Sequence, residues 1–353
     1  MGSLPRFSRT QSLTLTPELI RRLPKAELHV HLDGSLRPET MVELAREQGV
    51  TLPADDATAL AEAVHVRSAR NLDEYLERYY ITVSVMQTTA ALERIAYEFV
   101  HDLAAENVRY VEVRYCPALH TPALSLTEAV EAPLAGLQRA ECETGVIARL
   151  IVAGLRTLPP AVSEDLARLA VDYAGDGVVA FDLAGSEWGH PAREHVRAFD
   201  IVHRHGLPCT CHAGEGDGAD SIAQALHLCG AHRIGHGTRL REDPATEEFV
   251  VENRIPLEVC LTSNLHTHTV DSVEEHPIRH YLDCGCVVTL NTDSRLVDGT
   301  TLSDEYWLAH TRLDITRAEI DILILNAFQS AFLPEAAKNA LVAQVRRELE
   351  EIA

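Results

Sequence analysis

Short apolar runs alternate along the chain with longer stretches in which apolar residues recur every three or four positions. Near-continuous apolar runs of this length are typical of strands that are buried on both faces of a parallel sheet. The intervening stretches have the spacing of amphipathic helices, as at residues 92–106 and 195–206. The pattern predicts eight strands, at residues 26–31, 108–115, 149–154, 178–185, 208–214, 232–237, 256–260 and 287–291.

Eight strand–helix units predict an α/β protein with a single (β/α)8 TIM barrel over residues 1–353. An open doubly wound sheet is the alternative that the same alternation allows. The long stretch between the first two strands, roughly residues 37–106, predicts extra helices inserted after strand 1. Within it, the amphipathic segment 71–86 either belongs to a lid over the barrel mouth or packs in the outer layer. Residues 1–14 are polar and are predicted to be a flexible N-terminus.

The balance of charge narrows the class of partner. The formal net charge is −22 with histidines neutral. Because an acidic surface repels the phosphates of nucleic acids and anionic lipids, we expect a small molecule as the partner, and neither nucleic acid nor membrane. The first residues lack the apolar core of a signal peptide, and no run of about 20 apolar residues occurs, so a cytoplasmic location is expected. Nothing in the sequence indicates an oligomeric state.

Histidines and an aspartate stand at the carboxyl ends of several predicted strands. His29 and His31 end the first strand, and because alternate strand residues point to the same side, both imidazoles can bind one ion. His212, His236 and Asp293 end the fifth, sixth and eighth strands. These ends converge on one mouth of a barrel, where active sites lie. Three histidines and an aspartate match a Zn²⁺ site with an open position for water, so the pattern predicts a metal centre.

Two other kinds of metal site do not fit. The chain has eight cysteines but no C-x-x-C pair, which excludes the zinc site of cytidine deaminases and leaves reduced core thiols as the expected state. Two-metal hydrolases of the barrel class usually bridge their ions with a carboxylated lysine at the end of strand four. The predicted strand 178–185 contains no lysine, and Lys25 and Lys338 are the only lysines of the chain. One metal ion is therefore favoured.

Several motifs, in the same order and spacing over roughly residues 15–345, resemble the adenosine deaminase family. The opening stretch 23–35 reads LPKAELHVHLDGS and continues as RPET. Further matches are AYEFV (96–100), VEVRY (111–115), DLAG (182–185), HAGE (212–215), GHG (235–237) and LNTD (290–293). The resemblance implies a zinc-dependent hydrolase on a TIM barrel that converts adenosine and 2′-deoxyadenosine to inosine and 2′-deoxyinosine, with release of ammonia.

The resemblance also implies a role for single residues in the chemical step. One Zn²⁺ per chain would be held by four ligands, His29, His31, His212 and Asp293. Zinc can lower the pKa of a bound water to about 7, so that a nucleophile is available at neutral pH. His236 would take the proton from that water and steady the developing charge, unless it is a packed core histidine. Glu215 would donate a proton to N1 of the purine, unless it is a solvated loop charge.

Four residues would contact the substrate by the same resemblance, namely His31, Asp33, Gly185 and Ser294. Gly185 would offer its backbone N–H to N3, or would serve only a turn. Asp33 would accept a hydrogen bond from the ribose 5′-hydroxyl, or would cap the following helix. The well-known members carry a second aspartate where this chain has Ser294, and that aspartate contacts N7. A serine hydroxyl can still donate to N7.

The neighbourhood of Ser294 leaves the exact substrate open. Arg295 follows where proline is common, and we interpret it either as a surface residue or as a counter-ion for an acidic substituent on the substrate. Ser186 likewise replaces the aspartate of a Gly-Asp-Glu motif. An alternative function is therefore deamination of a modified or acidic adenine nucleoside, such as aminodeoxyfutalosine or an N6-substituted adenosine. A further alternative is a purine-binding homologue without catalytic activity.

Overall fold

Eight parallel strands form a closed barrel in the computed structural model, which describes residues 15–121 and 123–352. Each strand pairs with the next, in two ladders that run from the first to the fourth strand and from the fifth to the eighth. The strands are β1 (Lys25–His31), β2 (Val108–Tyr115), β3 (Ile147–Leu155), β4 (Val178–Ala184), β5 (Thr210–Ala213), β6 (Arg233–His236), β7 (Pro256–Val259) and β8 (Val287–Leu290). The predicted flexible segment 1–14 lies outside the described residues.

Backbone hydrogen bonds at two seams join these ladders into a ring. At the seam between β4 and β5, Phe181 N donates to Pro208 O at 3.1 Å. At the seam between β8 and β1, Asp293 N donates to His29 O at 3.0 Å and His31 N donates to Asp293 O at 2.6 Å. The prediction of a (β/α)8 barrel is thereby confirmed, and the open doubly wound sheet is wrong.

Helices accompany the strands along the chain, and most of them form the outer layer. They are α1 (Pro17–Arg22), α2 (Pro38–Gln48), α3 (Ala57–Val64), α4 (Leu72–Leu76), α5 (Tyr79–Val83), α6 (Thr89–Ala104), α7 (Leu126–Thr144), α8 (Pro160–Asp172), α9 (Val196–Arg204), α10 (Ala219–His227), α11 (Pro244–Glu252), α12 (Leu261–His266), α13 (Ile278–Asp283), α14 (Leu302–Arg312), α15 (Arg317–Ser330) and α16 (Glu335–Glu351). Five of them, α2 to α6, are inserted between β1 and β2 as predicted.

Capping decides where the predicted helices begin and end. Helix α6 starts three residues earlier than the apolar spacing indicates, because Thr88 Oγ1 accepts a hydrogen bond from Ala91 N at 3.1 Å. Helix α9 ends at Arg204, shortly before Gly206, whose φ of +68° turns the chain into β5. Side-chain caps and left-handed glycines are thus the local signals that periodicity alone misses.

The segment 71–86 crosses the barrel mouth and does not belong to the outer layer. It contains α4 and α5, and its side chains Leu72, Tyr75, Tyr79 and Val83 line the same cavity as His31 and Asp293. Asn71 caps α4 by accepting a hydrogen bond from Glu74 N at 3.0 Å. Of the two interpretations, a cover over the mouth is the one that agrees with the structure.

The cysteines agree with the expectation of reduced thiols, most of which lie in the core. All eight cysteines are unpaired, and six of them are buried. Among the described residues, no helix has the length and apolar character that a membrane crossing requires.

Candidate active site

A cavity of about 620 Å³ opens at the carboxyl ends of the strands, beneath α4 and α5. It brings together residues that lie as much as 262 positions apart in the sequence, as its wall contains both His31 and Asp293. His29 lies behind this wall and is fully buried. The predicted site residues in the wall are His31, Asp33, Gly185, His212, Glu215, His236 and Asp293.

Three distances in the cavity are those of groups that share one ion. His31 Nε2 lies 3.1 Å from His212 Nε2 and 3.3 Å from Asp293 Oδ1. His29 Nε2 lies 3.5 Å from Asp293 Oδ1 and, among the described residues, has no hydrogen-bond partner. Tetrahedral ligands bound to zinc at about 2.0–2.1 Å lie about 3.3 Å from one another. The residues present therefore fit a divalent ion, whose charge would offset the repulsion of the facing lone pairs.

Two buried carboxylates orient the histidine rings. Glu258 Oε2 lies 2.8 Å from His29 Nδ1, and Asp182 Oδ2 lies 3.0 Å from His212 Nδ1. Positive charge from Arg114, which contacts both carboxylates at 2.9–3.0 Å, helps hold the pKa of each well below its usual range. An ionised carboxylate accepts the Nδ1 proton, so each ring presents an unprotonated Nε2 to the metal position.

The Nδ1 of His236 has an amide and not a carboxylate as its partner. One ring nitrogen of His236 also lies within 4.8 Å of ligand atoms of His29, His212 and Asp293. Its Nδ1 faces Asn264 Nδ2 at 3.1 Å. Because an amide nitrogen donates, Nδ1 is the acceptor and the proton of neutral His236 lies on Nε2.

The orientation of the Asn264 amide follows from its other partners. His276 Nδ1 accepts from Ile278 N at 3.1 Å, and burial lowers the pKa of His276 to about 3, so the neutral ring carries its proton on Nε2. That Nε2 donates to Asn264 Oδ1 at 3.1 Å, and Thr238 Oγ1 donates to the same oxygen at 2.8 Å. The Asn264 nitrogen is thereby turned towards His236.

Two site residues hold a left-handed backbone that non-glycine residues rarely adopt. The φ of His236 is +62° and that of Asp293 is +61°. His236 ends β6, and Asp293 lies three residues after the end of β8, where the chain leaves the barrel. Such conformations cost about 1–3 kcal/mol and cluster at functional sites. The fold thus holds these two side chains in place against a local preference.

Glu215 is a buried carboxyl with a free oxygen. Among the described residues its Oε1 has no hydrogen-bond partner, and its Oε2 lies 3.4 Å from His236 Nε2. Burial, followed by the negative charge of Asp293, raises the pKa of Glu215 well above its usual range. Glu215 is therefore not a solvated loop charge.

Glu187 holds the loop that carries Glu215. Its carboxylate accepts hydrogen bonds from four successive backbone N–H groups at 2.7–3.1 Å, those of Gly214, Glu215, Gly216 and Asp217. Glu187 is 2% exposed, and the sequence pattern predicted no role for it. Asp182, Glu258 and Asn264 were missed in the same way. The signal for Asp182 and Glu258 was an acidic residue inside an otherwise apolar strand, which demands a partner.

Asp33 and Gly185, which were predicted to contact the ribose and N3 of the purine, lie in the cavity wall. Asp33 belongs to the short 3-10 turn Leu32–Gly34 and does not cap α2, whose N-cap is Arg37. Its Oδ1 is buried with no hydrogen-bond partner among the described residues, and burial raises its pKa to about 7. Gly185 has a φ of +90°, which favours glycine in the turn after β4.

Ser294 and Arg295 lie away from the cavity wall. Ser294 is fully buried, and its hydroxyl is hydrogen-bonded to Tyr79 Oη. The expected direct contact of Ser294 with a substrate therefore has no support in this geometry. Arg295 is largely buried, with a side chain 12% exposed, and its Nη1 lies 2.6 Å from Glu106 Oε1 and 3.8 Å from Glu27 Oε2. The interpretation of Arg295 as a surface residue does not agree with this burial, and its ion pair with Glu106 gives no support to a role as counter-ion for the substrate.

Neither lysine is placed to bridge two metal ions. Lys25 lies at the amino end of β1, where its Nζ donates to the carbonyls of Ile20, Arg21 and Leu23 at 2.9–3.1 Å. Lys338 lies on α16 in the outer layer. The donor set at the mouth is therefore made of histidine and carboxylate groups.

The chain is similar to known proteins over nearly its whole length. A family model described as adenosine deaminase matches residues 24–348. The chain is 42% identical over 336 residues to a probable adenosine deaminase of Dictyostelium discoideum, which covers 95% of this chain and 43% of that protein. It is 39% identical over 322 residues to an adenosine deaminase of Vibrio vulnificus, which covers 91% of this chain and 97% of the relative.

The barrel also matches a solved structure, an amidohydrolase of Burkholderia ambifaria with bound Zn. The TM-score is 0.87 at 25% identity, over 97% of this chain and 95% of that one. The matched family model, the relatives and the histidine–aspartate cluster at the barrel mouth agree with one another. The chain belongs to the adenosine deaminase family, whose members are metal-dependent hydrolases that act on C–N bonds.

Proposed function

We propose that this protein hydrolyses adenosine and 2′-deoxyadenosine to inosine and 2′-deoxyinosine, with release of ammonia. The observation that carries the proposal is Glu215, a buried carboxyl with a raised pKa that lies 3.4 Å from His236 in the wall of the metal-binding cavity. Such a carboxyl keeps its proton near neutral pH and can act as a general acid towards a ring nitrogen.

One Zn²⁺ per chain is the metal that we propose, with His29, His31, His212 and Asp293 as ligands. Imidazole nitrogens and carboxylate oxygens are ligands of catalytic zinc, which keeps a position open for water. The distances of 3.1–3.5 Å between their ligand atoms support this set. When bound, the ion lowers the pKa of a water molecule and so supplies the nucleophile.

Glu215 would act on N1 of the purine. Its proton passes to N1 and draws electrons from C6, so that the oxygen of water can form a bond to C6. The water loses both of its protons as its oxygen becomes the 6-oxo group; one of them passes to the 6-amino group, which leaves as ammonia when the C6–N bond breaks. N1 keeps the proton that it gained, because inosine carries N1–H, and the ionised Glu215 recovers a proton from the attacking water. The free Oε1 of Glu215 supports this assignment, because it leaves the carboxyl a site for the base.

His236 would stabilise the incoming oxygen. Because Asn264 donates to Nδ1, the Nε2–H of His236 is a donor that can steady negative charge on that oxygen. Of the two roles expected for His236, proton acceptance and charge stabilisation, the hydrogen bonds favour the second.

The sugar and the base edge would be held by Asp33 and Gly185. The unpartnered Oδ1 of Asp33 can accept a hydrogen bond from the ribose 5′-hydroxyl, and the N–H of Gly185 can donate to N3. An acidic nucleoside is not favoured, since Arg295 is already paired with Glu106. The nucleoside partner and the cytoplasmic location stay predictions.

The test is turnover of adenosine followed by its ultraviolet absorbance, with Glu215→Gln as the variant. Glutamine keeps the shape of the side chain but has no acidic proton, so kcat should fall by at least about 10²-fold while the metal is retained. Glu47→Gln makes the same change at an exposed residue and should match the unmodified protein. Unchanged kcat in Glu215→Gln would show that N1 is protonated by another group. Absence of any turnover of adenosine by the unmodified protein would contradict the proposed function.

A further inference from the structure

The hydroxyl groups of Tyr79 and Ser294 form a pair at the edge of the cavity. Tyr79 lines the cavity, whereas Ser294 is fully buried behind it. The two oxygens are hydrogen-bonded, and either is able to donate. The ring of Tyr79 packs edge-on against that of His31, with centroids 6.1 Å apart. The Tyr79 hydroxyl is thus held next to the metal-binding cluster.

The direction of this hydrogen bond follows from the other hydrogen-bond partners that each hydroxyl group has. Among the described residues, Tyr79 Oη is the only hydrogen-bond partner of Ser294 Oγ. If Tyr79 donated, the Ser294 proton would be buried without an acceptor, which costs about 1–3 kcal/mol. If Ser294 donates, its proton has an acceptor and the Tyr79 proton is free to point into the cavity. The second arrangement is therefore the favoured one.

The position of Tyr79 in the barrel determines which edge of a bound purine it faces. Glu215 and Gly185 follow β5 and β4, and under the proposed function they contact N1 and N3. Tyr79 Oη lies beside Gly34 and Ser294, which follow β1 and β8. In a ring of eight strands, β8 and β1 lie opposite β4 and β5. A purine whose N1–N3 edge faces β4 and β5 therefore turns its N7 edge towards Tyr79.

We infer that Tyr79 is a specificity-determining residue that donates a hydrogen bond to N7 of the substrate, and that Ser294 orients it. The inference rests on the proposed function, because it takes the orientation of the purine from that proposal. Ser294 then acts through Tyr79 and does not touch the substrate. The preferred substrates are purine nucleosides with an unsubstituted N7, and 7-deazapurine nucleosides are discriminated against.

The experiment compares kcat/KM for adenosine and 7-deazaadenosine in the full-length, metal-loaded protein and its variants. The unmodified protein should prefer adenosine by about 5- to 150-fold, the range that follows from one lost hydrogen bond in a buried site. Tyr79→Phe should lose a similar factor on adenosine and should treat the two substrates alike. Ser294→Ala should keep a preference for adenosine, because the donor remains in place.

Tyr97→Phe is the matched control. Its hydroxyl donates to Glu143 Oε2 at 2.6 Å on the outer layer, so the variant loses a tyrosine hydrogen bond far from the cavity and should behave as the unmodified protein. Metal content and melting temperature confirm that each variant is folded. Preference for adenosine that survives in Tyr79→Phe, or that is lost only in Ser294→Ala, overturns the inference alone. Failure of the unmodified protein to deaminate adenosine overturns the proposed function and the inference together.

Discussion

The proton on His236 is controlled by residues outside the cavity. His276, Asn264 and Thr238 form a hydrogen-bond relay that begins at Ile278 N and ends at His236 Nδ1. Each step has one allowed direction, because a backbone N–H can only donate and a neutral imidazole carries one proton. The relay makes His236 a donor at Nε2, whereas the carboxylates beside His29 and His212 make those rings acceptors at Nε2. These histidine rings therefore differ in chemistry because the groups bound to their Nδ1 atoms differ.

Asn264→Leu tests this relay. Leucine is close in size but cannot donate to Nδ1, so the proton of His236 is no longer held on Nε2. We expect kcat to fall by about 5- to 150-fold, the effect of about 1–3 kcal/mol on the barrier, with KM and metal content little changed. Thr238→Val is the control, because His276 still orients the amide, and it should lose much less activity. A loss of metal in proportion to activity would show that Asn264 supports the metal site and not the proton position.

At the scale of elements, the loop after β5 is positioned by the loop after β4. The carboxylate of Glu187 accepts from the four N–H groups of residues 214–217, which have no partners in a strand or helix. A carboxylate is suited to this task, because its two oxygens can together accept about four hydrogen bonds. The position of Glu215 in the cavity depends on this contact between neighbouring loops.

Glu187→Gln should misplace Glu215 without removing the metal. The amide keeps one acceptor oxygen and turns a donor towards backbone N–H groups, so the loop loses part of its support. We expect kcat to fall by at least about 10-fold, and Glu194→Gln, at an exposed residue, to have no effect. If Glu187 acts through Glu215, the double variant with Glu215→Gln should be no slower than Glu215→Gln alone. Additive losses would show that Glu187 has a separate role.

For the whole molecule, buried charge links the barrel interior to the metal centre. Arg233 contacts Glu112 at 2.5 Å and Glu258 at 2.6 Å, and Arg114 joins Glu258 to Asp182. These groups are no more than 1% exposed. Charges buried this deeply are tolerated only when they are paired. The network therefore supports the ring orientation of His29 and His212 from beneath the site.

Removal of the metal should therefore affect both stability and activity. The purified protein should hold about one Zn²⁺ per chain, and a chelator should abolish turnover and lower the melting temperature, because bound metal stabilises the folded state alone. Added zinc should restore both. His29→Ala and His212→Ala should lose metal and activity, whereas His205→Ala, at an exposed residue, should lose neither. Two ions per active chain by elemental analysis would contradict the single-metal assignment.

Periodicity and order along the chain determined the barrel, the inserted helices and the strand ends at which the site lies. The eight predicted strands overlap the eight observed ones because a strand buried on both faces must be apolar throughout, a requirement that acts on each segment separately. A related reason allowed the selection of five site residues: each lies at or near the carboxyl end of a strand, and these ends meet at one mouth. They are His29, His31, His212, His236 and Asp293.

Only the tertiary structure decided which partner each of these side chains has. Asn264 meets His236 from 28 residues away, and Ser294 meets Tyr79 from 215 residues away. No local pattern encodes such contacts, because they arise where loops from different strands cross. Arg295 shows the same limit, since its charge alone did not reveal that Glu106 neutralises it inside the protein. Local physics selects the elements and the reactive residues, whereas the pairing of polar groups in the closed barrel determines their protonation and their roles.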